Sequence, residues 1–278
     1  MNIFKSKPKL DMRKYPHVSE LYNQPIAIEN DDVIYDLENH LVNVAMANEN
    51  YSYDTATIPT PYTVNTIGVI PIKGILCSSS NYDEMKAGVI GCDIIRGWIN
   101  EALNDEMMQG IIFSVDCGGG SINGINALAE FIAEQKNNKS MTCFVDGCCA
   151  SAAYWLMSSL DINITPTSQV GGIGVSFCLK DTSKYYKDQG IEVIQFKTSP
   201  YKGQGTDGVP ITKEYKDELQ KKAMQIGTRF NNVVLKYKQL SNPEQALNGL
   251  SYLDEEAIQL GLAQNMVSGI GDLIDTFQ

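Results

Sequence analysis

From Thr63 onward the sequence alternates between short, almost wholly apolar runs, such as GIIFSV at 110–115, and amphipathic segments, such as DIIRGWINEAL at 93–103. Continuous apolar strands are typical of a parallel sheet that crossover helices cover on both faces. The amphipathic segments place apolar residues at helical spacing. We therefore predict an α/β fold with a mainly parallel sheet and crossover helices. The predicted strands are 67–73, 110–115, 141–145, 161–165, 174–177 and 191–196, and the predicted helices are 93–103, 122–135, 150–160, 212–240 and 254–260.

The first 62 residues differ in composition from the rest. They contain both histidines of the chain, His17 and His40, and neither glycine nor cysteine. The apolar spacing over 33–48 predicts a helix. The polar stretch 49–62 contains two prolines and predicts a linker. We expect an N-terminal arm and linker over residues 1–62, followed by one domain over residues 63–278.

Charge and cysteine content exclude several classes of protein. The net charge of −11 argues against binding to nucleic acid or to anionic membranes, both of which need a basic surface. No run of 18 apolar residues exists, and the basic start lacks the apolar core of a secretory signal. The seven cysteines are odd in number and show no CxxC spacing, so we expect reduced thiols in a cytoplasmic protein. We expect no metal and no cofactor.

Ser151 stands at the start of a predicted helix, in the run CASAAYW, and is a candidate nucleophile. A serine hydroxyl needs a neighbouring base, and no histidine follows His40. A lysine can serve when desolvation favours its neutral form, so Lys202 in SPYKG is the candidate base, with Phe196 and Tyr201 as possible shielding neighbours. The alternatives are that Ser151 only caps a helix and that Lys202 is an ordinary surface lysine.

Two glycine segments accompany these residues. Gly119 and Gly120 follow a buried strand in a predicted turn, where their N–H groups, with that of Ala152, could stabilise an oxyanion. Gly172 and Gly174, in GGIGV, could flank a groove in which an extended peptide pairs with the backbone. The alternative for both segments is a tight turn that binds no ligand.

The order of these segments resembles the signal peptide peptidase A family of Ser–Lys peptidases, which includes the phage head-maturation (capsid) proteases. The resemblance covers roughly Thr63 to the C-terminus, and ASAAYW around Ser151 is its most specific part. CGGG is similar to the SPGG that follows a strand in the family, and GGIGV is similar to its GSIGV. Lys202 lies 51 positions after Ser151, which resembles the family's spacing between nucleophile and base.

The resemblance implies a Clp-protease/crotonase-like fold and a serine endopeptidase with Ser151 as nucleophile and Lys202 as general base. Cys117 and Gly118 stand where the family has serine and proline, and Gly172 replaces the serine of GSIGV. The acidic charge and the lack of an anchoring helix favour the phage or prophage branch. That branch implies cleavage of capsid, scaffold or portal proteins by a homo-oligomeric ring, in the host cytoplasm or inside the procapsid.

Three other functions stay open at this point. The first is a cytosolic peptidase that degrades signal peptides or other membrane-derived peptides. The second is a crotonase-like enzyme that acts on acyl-CoA thioesters, although no pair of carboxylates is evident for proton transfer. The third is a non-catalytic assembly protein in which the N-terminal arm carries the function.

Overall fold

The computed structural model describes residues 16–17, 26–28 and 58–277, so the predicted helix 33–48 lies outside the described residues. The strands are β1 (Ile26–Ile28), β2 (Tyr62–Val64), β3 (Ile67–Lys73), β4 (Ile75–Cys77), β5 (Val89–Gly91), β6 (Gly110–Cys117), β7 (Gly119–Ser121), β8 (Ser140–Ala150), β9 (Ile162–Ile164), β10 (Gln169–Gly171), β11 (Ser251–Leu253) and β12 (Asn265–Met266). The helices are α1 (Tyr82–Lys86), α2 (Cys92–Asn104), α3 (Ile125–Gln135), α4 (Ala152–Met157), α5 (Ser183–Asp188), α6 (Lys213–Tyr237), α7 (Pro243–Ala246), α8 (Asp254–Gln259) and α9 (Ile270–Thr276).

The larger sheet has the strand order β11-β10-β8-β6-β3-β2. Its central strands β3, β6, β8 and β10 are parallel, and the edge strands β2 and β11 are antiparallel to their neighbours. The long strand β8 pairs with β9 through its first half and with β10 through its last three residues. This arrangement confirms the predicted α/β class with a mainly parallel sheet and crossover helices.

Both faces of this sheet are buried, as the continuous apolar strands predict. Successive residues of a strand point to opposite faces. Ile111 and Phe113 therefore belong to the larger apolar core, while Ile112 between them belongs to a smaller core on the other face. Leu273 and Ile274 of α9 cover the smaller core.

A second, smaller sheet lies beside the first and has the order β1-β7-β4-β5. β4 pairs in parallel with β5 and β7, and β1 pairs antiparallel with β7. The strand β1 comes from the predicted N-terminal arm, and the expected boundary between residues 62 and 63 falls inside β2. The arm thus contributes at least one strand to a sheet of the domain.

The structure differs from the sequence prediction in four segments. The predicted strands 174–177 and 191–196 are not strands: Val175 is partly buried against the larger core, whereas Ile191, Ile194 and Phe196 are exposed. The glycines predicted to form a turn, 118–120, continue into strand β7. The helix predicted to begin at Ala150 begins at Ala152, because Ala150 is still the last residue of β8.

None of the helices in the part of the chain that the structure describes is long and apolar enough to cross a membrane.

Candidate active site

Ser151 occupies the sharp turn between strand β8 and helix α4. Its backbone has φ 56° and ψ −121°, a left-handed conformation that non-glycine residues rarely adopt. Such strain costs about 1–3 kcal/mol and is found where the surrounding structure holds the residue for a functional reason. A strained strand-to-helix turn that carries a serine is the geometry of a nucleophile elbow.

Two main-chain hydrogen bonds hold this turn. The Ser151 N–H donates to Gly171 O on the neighbouring strand β10 at 2.8 Å, and the Trp155 N–H donates to Ser151 O at 2.9 Å. The side chain of Ser151 makes no capping hydrogen bond to the helix. The alternative that Ser151 is only a helix cap is therefore wrong, and its hydroxyl, in a residue only 1% exposed, is left for another partner.

The helix behind Ser151 is anchored in the core along its whole length. All residues of α4 are buried. The Tyr154 hydroxyl donates to Leu262 O at 2.9 Å, and the Trp155 ring stacks on Phe230 of α6 with the ring centroids 4.6 Å apart. The apolar run AAYWLM therefore fixes the helix, and with it the position of Ser151.

A register shift between β6 and β8 sets where β8 ends. Val115 pairs with Val145, but Cys117 pairs with Cys149, so β8 contains extra residues at this point. Asp116 accepts a hydrogen bond from the Cys148 N–H at 3.2 Å across the shift. Bulges of this kind bend a strand and redirect its end, and they are common next to active sites.

The glycines predicted to form the oxyanion hole lie on strand β7, whose Cα atoms come within 8 Å of those of α4. A Cβ on Gly120 would lie 2.1 Å from Leu76 O, so only glycine fits there. The Gly119 N–H donates to the Cys117 sulfur at 3.4 Å, a weak bond that an oxyanion can replace. Ala152 is the first residue of α4, so its N–H has no acceptor within the helix.

The predicted groove residue Gly172 lies directly beside Ser151. A Cβ on Gly172 would lie 3.2 Å from the Ser151 nitrogen and 3.3 Å from Ser251 Oγ. Gly174 is two residues further, where a Cβ would lie 3.9 Å from the Gly249 Cα. A groove of about 460 Å³ continues beyond Gly174, between residues 175–179 and α6.

Ser251 is a polar residue of this site that sequence reasoning missed. Its hydroxyl is buried and makes no hydrogen bond in the part of the chain that the structure describes. The register of the sheet brings it here: Ala150 pairs with Gly171, and Gly171 pairs with Ser251. Nothing in the sequence links a serine 100 positions downstream to Ser151, because the link exists only through the β8-β10-β11 pairing.

Lys202 lies in the exposed segment between α5 and α6. Its N–H donates to Ser199 O at 3.3 Å, and its side chain is exposed. No hydrogen bond joins Lys202 to Ser151 among the residues that the structure describes. Phe196 is 98% exposed and Tyr201 is 49% exposed, so the shielding expected from these neighbours is absent within one chain. The role of Lys202 as general base stays a prediction.

The thiols near Ser151 are not competing nucleophiles. Burial raises the pKa of Cys117 to about 12. A hydrogen bond with Cys143, together with burial, raises the pKa of Cys149, two residues before Ser151. The thiolate is the reactive form of cysteine, so these buried side chains stay inert at neutral pH. Cys178 differs, because it is exposed; it lies before α5.

A buried serine in a strained strand-to-helix turn, next to a strand that contains two glycines, is the arrangement expected of an enzyme with a serine nucleophile. The model of a known protein family, peptidase family S49, matches residues 133–275, which is just over half of the chain. The chain therefore belongs to peptidase family S49. This membership agrees with the Clp-protease/crotonase-like fold expected from the sequence.

The matching proteins of known sequence include phage and archaeal proteases. The chain is 26% identical to the capsid assembly protease C of Escherichia phage lambda over 211 residues, which covers 74% of this chain and 47% of that protein. It is 23% identical to the head-tail preconnector protein GP5 of Enterobacteria phage P21 (74% of this chain, 41% of that protein). It is 29% identical to the putative protease MJ0651 of Methanocaldococcus jannaschii (60% and 55%). The chain thus spans about half the length of these relatives.

Two kinds of solved structure are similar in fold. A mutant of 1510-N, a membrane-bound stomatin-specific protease, has a TM-score of 0.48 and 19% identity over 77% of this chain and 85% of its own. A member of the enoyl-CoA hydratase/isomerase family has a TM-score of 0.45 and 14% identity over 78% of this chain and 74% of its own.

Proposed function

We propose that this protein is a serine endopeptidase that uses a dyad of Ser151 and Lys202. The observation that carries the proposal is the backbone of Ser151, which is held in a left-handed conformation while its hydroxyl serves no capping role. Membership in peptidase family S49 supports cleavage of peptide bonds, rather than thioester chemistry, as the reaction.

The chemistry follows from these groups. Ser151 Oγ attacks the carbonyl carbon of the peptide bond, and the neutral amine of Lys202 takes the hydroxyl proton. The N–H groups of Gly119 or Gly120 and of Ala152 stabilise the oxyanion, at about 3–4 kcal/mol for each donor. Lys202 returns the proton to the leaving amine, and water then hydrolyses the acyl-enzyme.

The dyad needs a step that brings Lys202 to Ser151, since the two side chains share no hydrogen bond in one chain. The segment 174–212 carries large exposed apolar side chains, which are rare on the surface of a monomer and typical of an interface. These side chains are Tyr185, Ile191, Ile194, Phe196 and Tyr201. We propose that the protein forms a homo-oligomeric ring in which this segment packs on a neighbouring copy, and that this packing shields Lys202 and places it at a Ser151.

The proposed substrates are capsid or scaffold proteins of a phage or prophage. The support is the similarity to a phage capsid assembly protease and to a phage head-tail preconnector protein. The reaction takes place in the bacterial cytoplasm or inside the procapsid. No nucleic acid or membrane partner is part of the proposal, in agreement with the net charge of −11.

The test compares Lys202→Ala with Lys197→Ala. Lys197 lies in the same exposed segment, where its amine donates to Pro200 O at 3.2 Å, so it is a matched control. We expect Lys202→Ala to lower kcat/KM for a peptide substrate by about 10²–10⁴-fold, the usual contribution of a general base. Lys197→Ala should stay within about twofold of the unaltered protein, because its loss leaves the proposed base in place.

A fluorophosphonate, which phosphonylates a nucleophilic serine with loss of fluoride, gives a second measurement. It should label Ser151 in the unaltered protein and in Lys197→Ala, and label Lys202→Ala far more slowly. Equal labelling and equal hydrolysis by Lys202→Ala and Lys197→Ala would refute the dyad. Labelling of a residue other than Ser151 would refute the nucleophile as well.

A further inference from the structure

The strand β1 from the N-terminal arm lies on the strand that carries the proposed oxyanion donors. β1 and β7 are antiparallel, with Ile26 opposite Ser121, Ala27 opposite Gly120 and Ile28 opposite Gly119. The arm is therefore joined to the site by main-chain pairing, although its sequence predicted a separate helical region.

This pairing uses the one edge of β7 at which a peptide can bind. The other edge is filled by β4, through the pairing of Leu76 with Gly120. An extended peptide that pairs with the main chain of β7 must therefore take the position that β1 holds. The Cα atoms of β1 also come within 8 Å of those of α4, the helix that follows Ser151. A chain in this position passes close to the helix that begins directly after Ser151.

The sequence of the segment suits an extended ligand. Ala27, the residue in register with Gly120, lies between Ile26 and Ile28, and β-branched residues favour extended backbone. Pro25 precedes the strand and cannot donate a hydrogen bond to a ladder. The strand has only three residues, so a longer peptide that pairs over more positions has an advantage over it.

We propose that the outer edge of β7 is the docking edge for an extended peptide and that residues 26–28 are its intramolecular occupant. The arm then competes with substrates until a longer chain displaces it. The ligand class is a short extended peptide with a small residue between two β-branched residues. The competition with substrates rests on the proposed peptidase function, whereas the docking of a peptide at this edge is measurable without turnover.

The experiment uses the full chain with Ala27→Pro and, as the matched control, Ala27→Val. Proline removes the N–H of residue 27 and is not tolerated inside a ladder, whereas valine keeps both the N–H and the extended preference. The probe is a fluorescent peptide with the sequence of Gln24–Asn30, QPIAIEN, and its binding is followed by fluorescence anisotropy. Hydrogen–deuterium exchange at Gly119–Ser121 reports the state of the edge independently.

We expect faster exchange at Gly119–Ser121 in Ala27→Pro than in Ala27→Val, and slower exchange again when the peptide is added. An occupant that holds the edge about nine-tenths of the time weakens the apparent affinity of a competitor about tenfold. Ala27→Pro should therefore bind the probe about tenfold more tightly than Ala27→Val. If cleavage is measurable, KM for a longer peptide falls with kcat unchanged, and QPIAIEN inhibits competitively.

The outcomes separate this proposal from the peptidase proposal. Equal probe affinity of Ala27→Pro and Ala27→Val overturns the competition by residues 26–28, and no measurable binding of the probe to either variant overturns the docking edge, whether or not either variant cleaves peptides. Equal exchange at Gly119–Ser121 in the two variants overturns the occupant. A tenfold gain in probe affinity without any cleavage supports the docking edge and counts only against the peptidase.

Discussion

The two residues of the proposed dyad lie in regions that differ in burial and in regular structure. Ser151 is 1% exposed, is held by main-chain hydrogen bonds on both sides, and is followed by a helix that is buried throughout. Lys202 lies in the segment 174–212, which contains little regular structure beyond α5 and exposes most of its large apolar side chains. One chain fixes the nucleophile in its own core but leaves the base on its surface.

The difference suggests a division of roles: folding of one chain positions Ser151, and the proposed assembly of several chains positions Lys202. The position of Ser151 follows from the β8-α4 turn and from packing that one chain completes. In the proposed oligomer, the position of Lys202 depends on contacts between the segment 174–212 and a neighbouring copy. Stability and activity should therefore respond differently to changes in the two regions, and the following predictions test this comparison.

The largest expected effect is that of Ser151→Gly. Loss of the nucleophile should lower kcat by at least about 10³-fold, as expected for a group that acts as a unit with its base. The free energy of unfolding should nevertheless rise by about 1 kcal/mol, because glycine adopts φ 56° without the strain that serine carries. Urea denaturation and peptide hydrolysis, measured on the same preparations, check both halves of the prediction.

Ser158→Gly is the matched control for this variant. Ser158 is equally buried, but its backbone is right-handed at φ −56° and its hydroxyl donates to Trp155 O at 2.8 Å. We expect it to lose about 1–2 kcal/mol of stability and to keep its activity. A Ser151→Gly protein that is less stable than the unaltered chain would contradict the strain assigned to Ser151.

The same difference explains how far the sequence alone was informative. The parallel strands and the buried turn that holds Ser151 were predictable, because continuous apolar runs and the AAYWLM helix report burial within one chain. The strands predicted at 174–177 and 191–196 were wrong. For 191–196 the reason is that exposed apolar residues such as Ile194 and Phe196 give the same pattern as buried ones.

Long-range pairing was the other limit on prediction. Ser251 reaches the site only through the register of three strands, and β1 reaches it only by pairing with β7. No local pattern encodes either contact. The glycines Gly119 and Gly120 were predicted as a turn, because glycine marks turns in sequence and only the pairing with β1 and β4 shows that they continue as a strand.

A comparison of two phenylalanines sharpens the contrast in packing. Phe230 is fully buried and stacks on Trp155, so Phe230→Ala should lower the free energy of unfolding by about 3–5 kcal/mol. Phe196 is 98% exposed, so Phe196→Ala should change it by less than about 0.5 kcal/mol. Urea denaturation followed by tryptophan fluorescence measures both.

Sedimentation velocity gives the complementary result for Phe196. If the segment 174–212 packs on a neighbouring copy, Phe196→Ala should shift the protein toward smaller species while each chain stays folded. A large loss of chain stability in Phe196→Ala would contradict the exposure of this side chain in one chain. An unchanged sedimentation profile would contradict the packing of this segment on a neighbouring copy.

The smallest effect expected comes from a second lysine, Lys238, which is the buried counterpart of Lys202. Its amine donates to Leu160 O at 2.6 Å and to Gln264 Oε1 at 2.9 Å, near the end of α4. Burial lowers the pKa of Lys238 from 10.5 to about 8. Between these two pH values the folded chain binds fewer protons than the unfolded chain, so this group makes the protein more stable as the pH rises.

The penalty for charging Lys238 is fully present below about pH 8 and is relieved by about pH 10.5. The unfolding free energy of the unaltered protein relative to Lys238→Met should therefore rise by about 2.5 kcal/mol from pH 7 to pH 10.

The raised pKa values of Cys117 and Tyr154 destabilise both proteins alike at high pH, so their effects cancel in the difference. Lys222→Met, at an exposed position on α6, is the control substitution. A pH-independent difference for Lys238→Met would mean that this amine is as well solvated as Lys202, and the contrast between the two regions would then not extend to their lysines.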